Sequence, residues 1–377
     1  MNMPGFEVID QKERKEISKL FLKQNGILFA HGFDKLRKNF HVREFEKKIC
    51  NHTKSKYCLA VSSGTAAIKI SLLALGVRAG DEVITQAFNF IATAEAINDI
   101  GAKTVICKID DTLNMDPEDL KKKITKKTKA IIPVHMLGVS AEMEQILKIA
   151  KKKKIPICED VCEAFGGTYN GKYLGLLGKV GVISFDFGKI ITTGEGGAII
   201  TNNKKIFEFA KQYHDHGHEN KYSSRGNDSA KFFGFNFRMT EMQAIIGKVQ
   251  LGKLKTIIKK NKERYLILEK ILKSKFKVRK IPKKSSQTYE AFIFEVNSRK
   301  RSKIIKLLSQ KGFGTKNLPD AIKWHCSYFW GRGLGKKEIR NSLVSKEKLS
   351  ENIAIPIFLK KTIKEYFNLA NKISKTN

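Results

Sequence analysis

Short apolar runs alternate with polar, helix-patterned stretches from residue 57 to 201, and this alternation constrains the fold more than any other feature. The runs are 57–61, 82–85, 104–109, 130–135, 155–160, 180–183 and 198–201, rich in Val, Ile and Ala. Each has the length and composition of a buried strand. Helical stretches fall between most of them, up to about residue 75, to 100, over 117–124 and over about 141–151. Strands alternating with helices at this spacing imply a mainly parallel sheet with both faces covered. Ligands of such sheets bind beyond the carboxyl ends of the strands. Thr65, Phe90, His135, Asp160 and Lys189 all lie at or just past such ends.

Three of these ends carry chemistry. Ser184-Phe185-Asp186-Phe187-Gly188-Lys189-Ile190-Ile191-Thr192-Thr193-Gly194-Glu195-Gly196-Gly197 joins two apolar strands and holds a single Lys. A Lys against apolar core is partly desolvated, which lowers its pKa and suits its amine to attack a carbonyl and form a Schiff base. The plainer alternative is a solvated lysine in an ordinary glycine hairpin. Asp160 ends a buried strand, where an unpaired carboxylate is expensive. It either meets a cation or caps the segment that starts at Val161. Ser62-Ser63-Gly64-Thr65-Ala66-Ala67 is a small-residue turn between strand and helix. It aims backbone N–H groups at an anion, caps the helix, or does both.

Composition narrows the partners. With 377 residues, 41% hydrophobic and 29% charged, the chain can form two globular domains. We place them at 1–250 and 251–377, with a long helix over about 240–272 leading into the second, where 290–296 and 354–357 are strand candidates. No apolar run approaches the roughly 20 residues that span a bilayer, and residues 1–5 lack a signal-peptide pattern. A cytoplasmic protein without a membrane partner is expected. The six cysteines form no CxxC pair and several lie in apolar runs, so neither disulfides nor zinc are expected. The net charge of +35 raises nucleic acid as a partner. Its excess, however, is Lys spread along the chain, as at 121–123, 151–154 and 259–260, with no Arg-rich arm or helix-turn-helix pattern. We read it as a solvated surface whose field draws in phosphorylated or carboxylated ligands. His214, His216 and His218 alternate as metal ligands on one face could, but no carboxylate or thiol cluster accompanies them. Capping or substrate contact is expected there, and no metal.

The 184–197 run resembles the lysine motif of the DegT/DnrJ/EryC1/StrS sugar aminotransferases, and the resemblance covers about 40–357. These are pyridoxal-phosphate enzymes of aspartate-aminotransferase-like α/β fold (fold type I): a large domain with a mainly parallel sheet plus a smaller α+β C-terminal domain. Lys189 falls on their cofactor-carrying lysine. Members with His at that position dehydrate their substrates, so Lys implies transamination. Glu159-Asp160-Val161-Cys162-Glu163-Ala164 resembles the family's Glu-Asp-x-x-x-Ala block. The likeness places Asp160 on the pyridinium N–H, and Phe90 and Cys162 on opposite ring faces. Gly64, Thr65, Ala66 and Ser184 are implied as phosphate contacts. Asn236 is implied to reach the neighbouring subunit's phosphate, hence a homodimer. Glu163 stands where members carry a Gln or His that bonds the ring oxygen. An ionised Glu cannot donate there, so either it is protonated or its role differs. Gln86 stands where members usually carry Pro, a departure expected to loosen the turn. His135, His216 and His325 are candidate substrate contacts, the last within a possible pocket wall at 324–328.

The resemblance implies glutamate as amino donor and a small-molecule keto sugar as acceptor. A narrower likeness lies in Met3-Pro4-Gly5-Phe6-Glu7, Leu28-Phe29 with Gly32-Phe33, Ser184-Phe185-Asp186-Phe187, and Asp215-His216-Gly217-His218. It is to members that make 8-amino-3,8-dideoxy-manno-octulosonate for lipopolysaccharide from the free 8-keto sugar. A nucleotide-linked keto-hexose is the alternative. A nucleic-acid-binding protein on the same scaffold is the remote one.

Overall fold

The computed structural model describes residues 5–23, 26–33, 35–219, 228–331 and 333–376. Met3 and Pro4 of the motif above lie outside them. The apolar runs form β1 (Tyr57–Val61), β2 (Glu82–Gln86), β3 (Lys103–Cys107), β4 (Thr128–Ile132), β5 (Cys158–Asp160), β6 (Val180–Ser184) and β7 (Gly197–Thr201). A four-stranded and a three-stranded ladder are joined by parallel bridges, Ile131 to Ile157 and Val134 to Asp160. The resulting order is β1-β7-β6-β5-β4-β2-β3, with β7 antiparallel to both neighbours and the remaining pairs parallel. The mainly parallel α/β sheet is therefore present, and its one reversed strand is what turns 184–197 into a hairpin.

Helices α1 (Gln11–Lys23), α2 (His41–Thr53), α3 (Gly64–Ala74), α4 (Ala92–Asp99), α5 (Pro117–Lys123), α6 (Met143–Lys153) and α7 (Lys204–Tyr213) surround the sheet. Ile68, Ile70 and Leu72 of α3 are buried with Val180, Val182 and Ile199 of the sheet. Phe45 and Ile49 of α2 are buried with Ile183, Ala198 and Ile200 from the strands they cover. The long helix α8 (Glu241–Leu272) opens with a capping box between Thr240 and Gln243. Its first half packs on the α2 core through Ala244, Leu251 and Leu254. Its second half buries Tyr265, Leu268 and Leu272 in a C-terminal core. That core lies on β8 (Ala291–Glu295) and its antiparallel partner β9 (Asn352–Pro356), with α9 (Ser298–Gln310) and α10 (Ile363–Ser374) against them. Among the described residues no helix is long and apolar enough to cross a membrane.

Strand alternation in β5 sends neighbouring carboxylates to opposite sides. Glu159 is fully buried and accepts N–H bonds from Gly175 (3.0 Å), Leu177 (2.6 Å) and Gly178 (2.6 Å). It therefore pins the 175–178 loop onto β6. Gly181 of β6 permits this approach, since a Cβ there would lie 2.4 Å from the Gly175 carbonyl oxygen. Backbone on both sides leaves no room to yield. Gly181→Ala is expected to destabilise the protein by about 1–3 kcal/mol, read as a lower thermal midpoint.

Candidate active site

The carboxyl ends of β1, β2, β5 and β6 converge on a cleft of about 410 Å³. Gly64, Thr65, Phe90, Asp160, Cys162, Glu163, Ser184, Lys189 and His325 line it. Of the residues expected at the site, Ala66, His135, His216 and Asn236 do not line it.

The end of the cleft at α3 is built by close approach. Ser63 caps α3, its Oγ accepting the Ala66 N–H at 3.1 Å, so that amide is engaged within the turn. Gly197 at the start of β7 presses on this turn; a Cβ there would sit 2.4 Å from the Ser63 carbonyl oxygen. A Cβ on Gly64 would sit 2.9 Å from Ser184 Cβ and 3.3 Å from both Ser184 Oγ and Cys162 Sγ. The turn thus has room for backbone but not for a side chain at Gly64, which would crowd Ser184 and Cys162. It lies at the positive end of α3, where an anion is stabilised.

Asp160 is 3% exposed. Its Oδ1 accepts the Cys162 N–H at 3.0 Å, and its Oδ2 accepts the Thr93 hydroxyl at 3.3 Å. Among the described residues no side-chain cation pairs with it within 4.0 Å. A buried carboxylate with no ion-pair partner of its own suits a ligand that brings a cation. Thr93 Oγ1 also lies 3.2 Å from Asn89 Oδ1, so its one proton is shared between the two oxygens, and Asn89 Oδ1 accepts the Phe90 N–H at 2.7 Å. Phe90 projects into the cleft mouth, its ring 5.2 Å from that of His325. Burial pushes the Cys162 thiol well up, so it presents a neutral surface.

Lys189 corrects the sequence reading of its charge. Its Nζ lies 3.4 Å from Glu163 Oε1. Burial alone would lower the Lys189 pKa, but Glu163 above all, with Cys162, Asp186 and Asp160, pushes it above its ordinary value. Burial would likewise raise the Glu163 carboxyl. Lys189, His325, Lys316 and the Leu137 N–H override it and bring it down to about 2. Glu163 is therefore ionised, and its role differs from that of a neutral donor. Asn317 Nδ2 lies 3.3 Å from both its oxygens, and the Leu137 N–H donates to Oε2 at 3.2 Å. Burial lowers the His325 pKa, while its Nδ1 donates to the Ala321 carbonyl at 3.0 Å. Lys316 reaches the cleft while paired with Glu290 at 2.8 Å.

Other expectations need correction. His135 is fully buried: Nδ1 accepts from Ala141 N–H at 3.1 Å, and Nε2 lies 3.3 Å from Glu159 Oε2. Both ring nitrogens serve the fold, which leaves none for substrate. His216 is exposed on a left-handed backbone (φ 54°), away from the cleft. His214 is buried, which pulls its pKa down to about 4. Among the described residues no group of His, Cys, Asp and Glu could hold a metal. Gln86 does not loosen its turn. It is fully buried, donates to the Phe88 carbonyl (2.8 Å), and accepts from the Met115 (3.0 Å) and Val134 (3.1 Å) N–H groups. Lys316 and Asn317 were missed because nothing local marks a loop residue that only folding returns to the cleft.

A lysine amine, a helix N-terminus at a close-packed turn, a buried carboxylate without an ion pair of its own and a flanking aromatic fit pyridoxal phosphate. With the sheet order, they define a pyridoxal-phosphate-dependent aminotransferase of fold type I. The profile of the DegT/DnrJ/EryC1/StrS aminotransferase family matches residues 31–370, and the chain belongs to that family. It is 37% identical over 256 residues to GDP-perosamine synthase of Escherichia coli O157:H7, covering 67% of this chain and 68% of that protein. It is 40% identical over 207 residues to UDP-2-acetamido-2-deoxy-3-oxo-D-glucuronate aminotransferase of Pseudomonas aeruginosa, covering 54% of this chain and 56% of that one. The crystal structure of 3-amino-5-hydroxybenzoic acid synthase superposes with a TM-score of 0.86 at 27% identity, covering 100% of this chain and 98% of that one.

Two outcomes follow from this geometry. Gly64→Ala crowds the turn against Ser184 and Cys162 and should weaken pyridoxal-phosphate binding by about tenfold or more, about 1.4 kcal/mol, measured by absorbance titration. The depressed Glu163 pKa contributes stability that is complete above its ordinary value of 4.5 and is lost as pH falls toward about 2. Acid unfolding of the cofactor-free protein should therefore show a shallower fall over that window in Glu163→Gln than in the parent.

Proposed function

We propose that this enzyme transfers an amino group from glutamate to a keto sugar. The observation that carries the reading is that Lys189 and Asp160 line one cleft with Gly64, the first residue of helix α3. Gly64, Thr65 and Ser184 would hold the cofactor phosphate, Asp160 its ring N–H, and Phe90 and Cys162 its two faces. When bound, pyridoxal phosphate supplies an aldehyde for amines and a protonated ring that takes up an electron pair. Asp160 stabilises that ring proton. The Lys189 amine removes the proton from the donor's Cα and later returns one, as general base and acid. Lys316, Asn317 and His325 complete the sugar side from the C-terminal part. We take residues 1–250 as the cofactor-binding domain and 251–377 as the domain that completes the pocket. Asn236 is exposed outside the cleft, and we assign it to the neighbouring subunit's phosphate in a homodimer.

As substrate we propose the free 8-keto sugar that yields 8-amino-3,8-dideoxy-manno-octulosonate for lipopolysaccharide. Support comes from the four stretches named above, of which Ser184, Asp186 and Phe187 line the cleft. A second reading, a nucleotide-linked keto sugar, is favoured by relatives whose names specify GDP- and UDP-linked products or substrates.

The purified protein with pyridoxal phosphate should show an absorbance band near the visible edge that shifts when glutamate is added. Lys189→Ala should lose both band and turnover; a variant that retained them would exclude the assignment. Amination of the octulosonate but not of GDP- or UDP-keto-hexoses would select the first substrate, and the reverse pattern the second. Salt-dependent nucleic-acid binding without any band would instead support the scaffold alternative.

A further inference from the structure

We propose that Glu163 is a positioning residue that clamps the Lys189 amine as an ammonium in the cofactor-free enzyme, so that capture of the cofactor waits on release of one proton. The inference rests on the reading of Lys189 as the cofactor lysine. The clamp is geometric first. Glu163 Oε1 faces Lys189 Nζ at 3.4 Å inside the cleft. Leu137 N–H and Asn317 Nδ2 hold the carboxylate, and its backbone is anchored where the Glu163 carbonyl accepts the Gly138 N–H at 2.6 Å.

The surrounding charges leave this pair dominant. Glu163, Cys162, Asp186 and Asp160 face Lys189. Within that set, Glu163 alone is paired with it among the described residues. Lys189, His325 and Lys316 face Glu163, and the buried Arg279 guanidinium also feels its charge while donating to the Thr112 and Met136 carbonyls. His325 Nε2 is 3.9 Å away, and burial disfavours its cation. Lys316 is already matched by Glu290. Lys189 is thus the cation paired directly with Glu163, and Glu163 the anion paired directly with Lys189.

Condensation needs the free amine. The amine nitrogen bonds to the aldehyde carbon, the carbonyl oxygen leaves as water, and the extra ammonium proton passes to solvent. Because the Lys189 pKa is raised, the reactive fraction falls about tenfold for each unit that the pH lies below it. Replacing Glu163 by a neutral isostere removes the counter-charge and shifts that profile to lower pH.

The test titrates the amine itself. Cofactor-free parent, Glu163→Gln and Glu163→Asp are labelled with acetic anhydride across a pH series, and the Lys189 peptide is quantified by mass spectrometry with the other lysine peptides as internal reference. Glu163→Gln should lower the Lys189 midpoint by about one unit or more, and raise the rate of pyridoxal-phosphate capture near neutral pH about tenfold. Glu163→Asp, with a shorter reach, should fall between. It decides the question if the Gln variant loses its native circular-dichroism spectrum. An unchanged Lys189 midpoint in folded variants would overturn the clamp. A shifted midpoint without capture by any of the three proteins would instead overturn the cofactor reading, so the two failures are distinguishable.

Discussion

The buried Glu163 carboxylate is the constraint around which the cleft is assembled. A charge removed from water must be compensated by nearby cations and donors, or the fold loses several kcal/mol. Here the compensation comes from three separate parts of the chain: Leu137 beyond β4, Lys189 in the β6–β7 hairpin, and Asn317 with His325 from the C-terminal part. One side chain therefore ties the sheet, the Lys189 hairpin and the C-terminal segment into a single wall. Without it, Lys189 would face only the more distant Asp186 and Asp160, and the Asn317 amide would lose its acceptor.

A second dependence runs through β5, where adjacent carboxylates do unlike work because strand side chains alternate. Glu159 turns to the loop side, gathering three backbone N–H groups and His135. Asp160 turns to the cleft, held by Thr93 and the Cys162 amide. The Asn89–Thr93 contact then couples the carboxylate to the aromatic at the cleft mouth. Gln86 performs a related task one strand over, fastening the end of β2 to residues 115 and 134. A proline could not make those bonds. The chain has replaced a stiff turn by a hydrogen-bonded one.

Much of this was legible in the linear chain. Alternating apolar runs and helical stretches identify a parallel α/β sheet, because an apolar run of that length is stable as a strand only when covered on both faces. The strand ends then mark where Gly64, Phe90, Asp160, Ser184 and Lys189 must gather, since parallel strands carry their carboxyl ends to one edge. What remained illegible was the environment of each group. His135 sits at such an end, yet folding turns both its nitrogens inward. Lys189 borders apolar core, yet a carboxylate from another segment reverses the expected direction of its pKa.

The sequence by itself determined the sheet, the long linking helix and the placing of Asp160 and Lys189 at strand ends, because periodicity depends on neighbours along the chain. Only the tertiary structure decided that Glu163 is ionised, that Asn317 and Lys316 belong to the cleft, and that Gln86 stiffens rather than loosens its turn. Charge state and hydrogen-bond satisfaction depend on which distant groups arrive within a few ångströms, and no local pattern encodes that distance.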